Sequence, residues 1–299
     1  MDYLPLIALA LATLGLPLWL TASLWRARQG SRLGWLLKLI YASTFLALVL
    51  VAGRWDITGY YTRFVLLALF VAATAASWRH VRRLPVRAEG ERRWRRYWAD
   101  AAAAALFAAL IVYAAGGYFA PKEAVRLAFP LRDGWFMVGQ GGDNPLLNHH
   151  NGHPAQRFAL DVTALNPAGF RAGGLLPETL ESYAIFGHPV VSPCAGTVAA
   201  VRDGLPDLTP PARDPENAAG NHVAIRCGEV TVELAHLRRG SVVVGEGETV
   251  AAGDRIGAVG NSGNTTEPHL HVHAVGADGA GVPMLFDGRF PVRNATFAR

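Results

Sequence analysis

The stretch Gly260–His273 reads GNSGNTTEPHLHVH and sets His269, His271 and His273 at every second position, directly after a loop of Gly, Asn and Thr. In a β-strand alternate side chains share a face, so these three imidazoles stand on one side of a sheet, about 7 Å apart per step. Imidazoles gathered on one rigid face are what a transition-metal site needs. A polar strand without function is the alternative, and polar residues elsewhere in apolar strands weigh against it. Asp161 ends the run Gln156-Arg157-Phe158-Ala159-Leu160-Asp161, read here as an apolar strand in which a carboxylate needs a reason. His236 lies in Leu234-Ala235-His236-Leu237, again a polar residue in an apolar strand, and His149, His150 and His153 cluster just ahead of Asp161. A lone histidine in such a strand is more often a hydrogen-bonded core residue. Several that converge with an HxH strand reverse that judgement.

Around this stretch the chain is punctuated by turns. Gly196–Val201 reads as a strand after the Ser192-Pro193 turn, Asn221–Arg226 and Val230–Leu237 as a hairpin, and Gly240–Val244 and Gly253–Val259 as further extended segments. Helical signals are few, so an all-β domain is expected, an antiparallel sandwich or a partly open barrel. Leu205–Gly220 has no periodicity and reads as a long surface loop that could border a groove. Cys194 and Cys227 both fall in this part; an oxidising compartment permits a disulfide between them, and neither has the spacing of a zinc or redox pair.

The first 119 residues have another character. The chain has 299 residues, 51% of them hydrophobic, and the apolar excess lies in four runs, Leu4–Leu24, Leu33–Ala52, Tyr60–Trp78 and Trp98–Phe119. Each is about 19 to 22 residues, the length a helix needs to cross a bilayer. Trp25, Tyr60, Tyr61, Trp78, Trp98 and Tyr118 sit near the ends, as interfacial aromatics do, and Lys38 is near enough to an end to snorkel. The first connection carries Arg26, Arg28 and Arg32; the third carries Arg79, Arg82, Arg83, Arg87, Arg92, Arg93, Arg95 and Arg96. The second has only Arg54 and Arg63 against Asp56. By the positive-inside rule the first and third connections are cytoplasmic, which puts residues 120–299 outside the cytoplasm. The net charge of +5 is thereby explained by arginines that face lipid headgroups, and a nucleic-acid role is excluded.

The elements QRFALD, FGHPVVSPCAGTV, GNHVAI, LAHL, the G-x-x-V-x-x-G-D-x-I-G-x-x-G frame and EPHLH, taken in order from about Phe129 to Phe297, resemble the lysostaphin/LytM-type zinc endopeptidases of bacterial cell walls. The resemblance implies a β-rich peptidase domain holding one Zn2+. It makes Asp161 the carboxylate ligand and His271 a histidine ligand, with His236 and His269 off the metal, acting on substrate and water. His273 stands where the family commonly has Glu or Gln and is expected beside the ligands. The family's usual first histidine lies four residues before the aspartate, where this chain has Arg157. A membrane-bound branch is similar in using an N-x-H element ahead of Q-R-(aromatic)-A-x-D. Here that is Asn148-His149-His150, which points to His150, with His149 and His153 in reserve.

Two imidazoles and a carboxylate leave the fourth zinc position to water, the pattern of a catalytic site, and zinc lowers the pKa of such a water toward about 7. No HExxH helix is present, so a neutral His236 or His269 must serve as the base; the sequence leaves both open. The expected function is hydrolysis of amide bonds in peptidoglycan peptides by a membrane-anchored enzyme. A catalytically inactive wall-binding or hydrolase-regulating module is the rival. Four crossings exceed what tethering requires, so a membrane protein partner is also considered. The expected division is residues 1–119 as four transmembrane helices and 120–299 as the extracytoplasmic peptidase domain.

Overall fold

The structure, a computed structural model, describes residues 4–26, 29–87 and 94–299. Arg28, Arg92 and Arg93 lie outside the described residues, as do the side chains of Arg95 and Arg96. The chain divides into two compact units, Asp2–Ala115 and Gly116–Arg299.

The first unit holds four helices long and apolar enough to cross a membrane, Leu4–Trp25, Arg32–Ala52, Thr62–Val81 and Tyr97–Gly116. Between 11% and 28% of each apolar window is buried within the protein. So much exposed apolar surface is unfavourable in water and favourable in lipid. The first helix contains a π-turn at Leu11–Gly15. Ser31 caps the second, its hydroxyl accepting from the Gly34 amide at 3.2 Å. Trp35 Nε1 donates to the buried Ser77 hydroxyl at 3.1 Å, tying the second helix to the third. The Lys38 ammonium donates to the Ser23 carbonyl at 3.3 Å, where the last turns of the first helix supply acceptors.

The second unit is built on strands β1 (Val125–Leu127), β2 (Trp135–Gln140), β3 (Leu160–Ala164), β4 (Pro189–Val191), β5 (Gly196–Arg202), β6 (Asn221–Cys227), β7 (Val230–Leu237), β8 (Thr249–Val250), β9 (Arg255–Ala258), β10 (Leu270–Val275), β11 (Gly281–Val282), β12 (Met284–Phe286) and β13 (Thr296–Ala298). Nine of them form one antiparallel sheet in the order β13-β2-β3-β10-β7-β6-β5-β8, with β11 beside β10. β4 pairs antiparallel with β9, and β1 pairs parallel with β12, the one departure from an antiparallel pattern among the described residues. The sheet is open and forms no closed barrel. Its apolar face, with Val138, Leu160, Val162, Val223, Ile225, Leu234 and Val272, packs on Phe129, Leu131, Ile185 and Ile256 from the short sheets and their loops.

Two segments differ from the sequence reading. Gln156–Ala159 is not strand. Two short 3-10 turns, His149–Gly152 and Pro154–Gln156, precede β3. The buried Asn148 amide holds this corner by donating to the carbonyls of Gly142, Arg157 and Ala159. Asp161 therefore stands near the start of its strand. Gly240–Val244 alternates as a strand would, yet only one of its amides reaches β9, Val243 N donating to the Ile256 carbonyl at 3.0 Å. The Asp203 carboxylate accepts from Gly240 N at 2.7 Å and Val242 N at 3.2 Å instead. The loop Leu205–Gly220 is tied down in the same way: Asp207 accepts from Asn261 N at 2.7 Å and Arg239 N at 3.1 Å. Cys194 and Cys227 are joined in a disulfide, with Cα atoms 5.9 Å apart.

Candidate metal centre

Strand register assembles the site. β10 lies between β3 and β7, and in its ladder with β3 His271 is directly opposite Asp161, so residues 110 positions apart share one face of the sheet. His271 Nδ1 is 3.0 Å from Asp161 Oδ1. His150 brings Nε2 to 3.0 Å of the same oxygen from the 3-10 turn beside β3. His269, one residue before β10 begins, places Nε2 at 3.5 Å from it. Burial opposes ionisation of Asp161, but His269 and His150 outweigh it and hold the carboxyl well below the usual carboxylate range.

His236 reaches the site by breaking the strand's alternation. Ala235 is the residue opposite His271 in the β7–β10 ladder, so regular pleating would turn His236 to the other face. Instead His236 has φ of 61°, and the neighbouring β6–β7 ladder is irregular between Asn221 and Val223. Irregularities of this kind re-aim side chains. The ring then lies 4.9 Å from that of His269 and 5.7 Å from that of His271, centroid to centroid. His236 Nδ1 is 2.9 Å from the Ser262 carbonyl. A carbonyl can only accept, so Nδ1 carries a hydrogen and Nε2 is left as the acceptor nitrogen. Burial, together with His269 and His271, drives the His236 pKa well down and keeps the ring neutral. His269 is oriented likewise, Nδ1 facing the Glu267 carbonyl at 2.9 Å. Burial lowers its pKa, but Asp161 more than compensates and raises it.

His271 is pushed down to about 4 by burial, against the pull of Asp161. Its Nε2 lies 3.2 Å from Nδ1 of the buried His273. His271 Nδ1 and His150 Nε2 converge on one carboxylate oxygen, and a metal bound through His271 Nδ1 would put the His271 proton on Nε2, facing His273. The donor set of two imidazoles and a carboxylate thus fits a zinc ion. His149 also keeps a ring nitrogen within 4.8 Å of ligand atoms of His150 and Asp161, but it is exposed. His153 is exposed as well, at the join between the two 3-10 turns. Proximity alone would group His149 with His150. The carboxylate contacts favour His150 and His271, because both share one Asp161 oxygen at hydrogen-bond distance.

Residues 181–281 match the family model "Peptidase family M23". The β-rich unit carries a peptidase family M23 domain. The matched M23 stretch contains His236, His269, His271 and His273 and begins after His150 and Asp161, which the sheet and the 3-10 corner bring to it. The peptidoglycan DD-endopeptidase ShyA of Vibrio cholerae is 35% identical over 120 residues, which is 40% of this chain and 27% of ShyA. An uncharacterized metalloprotease of Haemophilus influenzae is 32% identical over 123 residues, 40% of this chain and 23% of that protein. The chain thus spans about a quarter of the length of these curated relatives. Among solved structures, a zinc containing peptidase from Vibrio cholerae aligns with 21% identity and a TM-score of 0.33, covering 52% of this chain and 37% of that one.

Sequence reasoning misses the backbone acceptors. The Ser262 and Glu267 carbonyls fix His236 and His269, and a carbonyl leaves no mark on the residue letter. Asn148 enters the sequence reading only as part of N-x-H, whereas it holds the corner that presents His150. An asparagine ahead of two histidines and an Asn-Gly turn is the available signal.

Proposed function

We propose that this chain is a zinc-dependent endopeptidase that hydrolyses amide bonds of peptidoglycan peptides. The observation that carries the reading is one carboxylate oxygen, Asp161 Oδ1, shared by His150 Nε2 and His271 Nδ1, with two further imidazoles fixed through Nδ1 beside it. His150, Asp161 and His271 would hold the ion. Bound zinc would supply a Lewis acid and lower the pKa of water at neutral pH.

The remaining work falls to His236 and His269. Each donates Nδ1–H to a carbonyl and keeps Nε2 for the reacting groups. A neutral Nε2 accepts a proton from water, and the protonated ring returns it to the leaving amine. The second imidazole, when protonated, donates to the oxyanion that develops on the scissile carbonyl. His273 holds His271 in one tautomer, as partners of metal-ligating histidines commonly do. The similarity to ShyA supports peptidoglycan as the substrate class. Residues 1–119 would anchor the enzyme in the bilayer, with the basic connections cytoplasmic and residues 120–299 extracytoplasmic.

The test is release of new amino groups from purified peptidoglycan by the full chain in detergent. Activity is expected to vanish with chelator and return with zinc, and to fall about 100-fold or more in His269→Ala. A zinc-loaded chain that leaves peptidoglycan intact would instead be the wall-binding module, the reading kept open by Arg157 at the family's usual histidine position.

A further inference from the structure

Arg171 is a guanidinium with 2% exposure that the chemistry above does not use. It lies in the connection between β3 and β4. Its Nε donates to Glu267 Oε1 at 3.0 Å, a second nitrogen donates to Glu267 Oε2, and that nitrogen also donates to the Leu175 carbonyl at 3.0 Å. The arginine is itself fixed: its carbonyl accepts from Ala184 N at 2.9 Å, and the guanidinium lies 5.8 Å from the Tyr183 ring. Burying a paired arginine and glutamate gains little for stability over an apolar pair of the same volume. The pair does, however, fix geometry, because a guanidinium fork sets both carboxylate oxygens at once.

What it fixes is visible one residue further on. Glu267 is followed by Pro268, which restricts its backbone to extended conformations. The Glu267 carbonyl accepts from His269 Nδ1 at 2.9 Å and from the Thr265 hydroxyl at 2.7 Å. That carbonyl, with the Thr265 oxygen 3.1 Å from the same nitrogen, sets the hydrogen of His269 on Nδ1 and aims Nε2 toward Asp161.

We propose that Arg171 is a positioning residue: through its two-pronged bond to Glu267 it locks the His269 imidazole in the Nδ1–H form with Nε2 facing the metal-ligating residues. The proposal rests on the hydrolase reading only for its kinetic consequence. Arg171 touches neither substrate nor ion, and acts through Glu267.

The test uses the full chain in detergent with 15N-labelled histidine, as parent and as the variants Arg171→Lys, Glu267→Gln and Arg171→Met/Glu267→Met. Lysine keeps the charge and loses the fork; the double methionine variant removes both charges and fills the volume. In the parent, read at a pH high enough to leave the ring neutral, His269 is expected as a single Nδ1–H tautomer by its 15N shifts. In the variants it is expected to become a tautomer mixture while bound zinc stays at the parental level. Peptidoglycan hydrolysis should lose about tenfold in kcat with KM little changed, the size of effect typical of groups that orient a site from behind. Arg171→Lys should recover part of that loss. A lowered Tm with the His269 tautomer and kcat unchanged would make the pair a packing element and overturn the proposal, as would a neutral parent His269 with its single ring hydrogen on Nε2. A parent that shows the tautomer and its loss in the variants, yet cuts no peptidoglycan, would leave the clamp standing and remove the hydrolase reading.

Discussion

At Asp161 three imidazole nitrogens approach one carboxylate oxygen, two at 3.0 Å and one at 3.5 Å. The proposed roles separate these three by experiment. Metal analysis of Asp161→Asn and His150→Ala is expected to show loss of stoichiometric zinc, since each removes one of three ligands. His149→Ala and His236→Ala are expected to keep it. Zinc retained by His150→Ala and lost by His149→Ala would exchange the two residues. At this scale much is legible in the sequence. The HxH alternation and a carboxylate among apolar residues are local patterns, and both lead to residues that meet in space. The choice among His149, His150 and His153 is less legible, because consecutive 3-10 turns have no period that assigns a face. The inward turn of His236 is not legible either. It depends on one left-handed residue at a ladder irregularity, which costs about 1–3 kcal/mol and persists only because the surroundings impose it.

The elements that hold these residues invite their own tests. Gly220 has φ of +62°, and a Cβ there would press on the backbone of Ser262, whose carbonyl orients His236. Gly220→Ala is expected to destabilise the protein by about 1–3 kcal/mol and to lower kcat, seen as a reduced Tm and slower peptidoglycan release. An unchanged Tm would show that the Ser262 loop gives way freely. The disulfide closes 33 residues between the turn before β5 and the end of β6. Replacing both cysteines by alanine is expected to cost about 3–4 kcal/mol through the freedom returned to the unfolded chain. Zinc content should remain, since neither cysteine belongs to the ligand set. The β6–β7 hairpin is readable because its strands adjoin in sequence. Gly240–Val244 departs from its reading for the opposite reason. Its alternation is real, Val243 being 59% exposed while Val242 and Val244 pack on the core. But two of its amides, Gly240 N and Val242 N, are taken by Asp203, some 37 to 39 residues earlier in the chain, and Val243 N alone reaches β9.

Over the whole molecule the charge is divided. Basic residues outnumber acidic ones 14 to 5 in residues 1–115, and acidic outnumber basic 18 to 14 in residues 116–299. Arginine-rich connections between apolar helices are retained on the cytoplasmic side, so the second unit is expected on the far side of the membrane. Val243→Cys in the background lacking Cys194 and Cys227 should react in intact cells with a membrane-impermeant maleimide, once any outer barrier has been opened. Labelling only after lysis would invert the proposed topology. The same crossing sets the chemistry of the thiols. On that topology, copies that stay where glutathione is reduced are expected to keep Cys194 and Cys227 as thiols, and translocated copies to acquire the covalent bridge. Exported molecules should therefore outlast stranded ones under proteolysis, a difference in lifetime written into a single sulfur–sulfur bond.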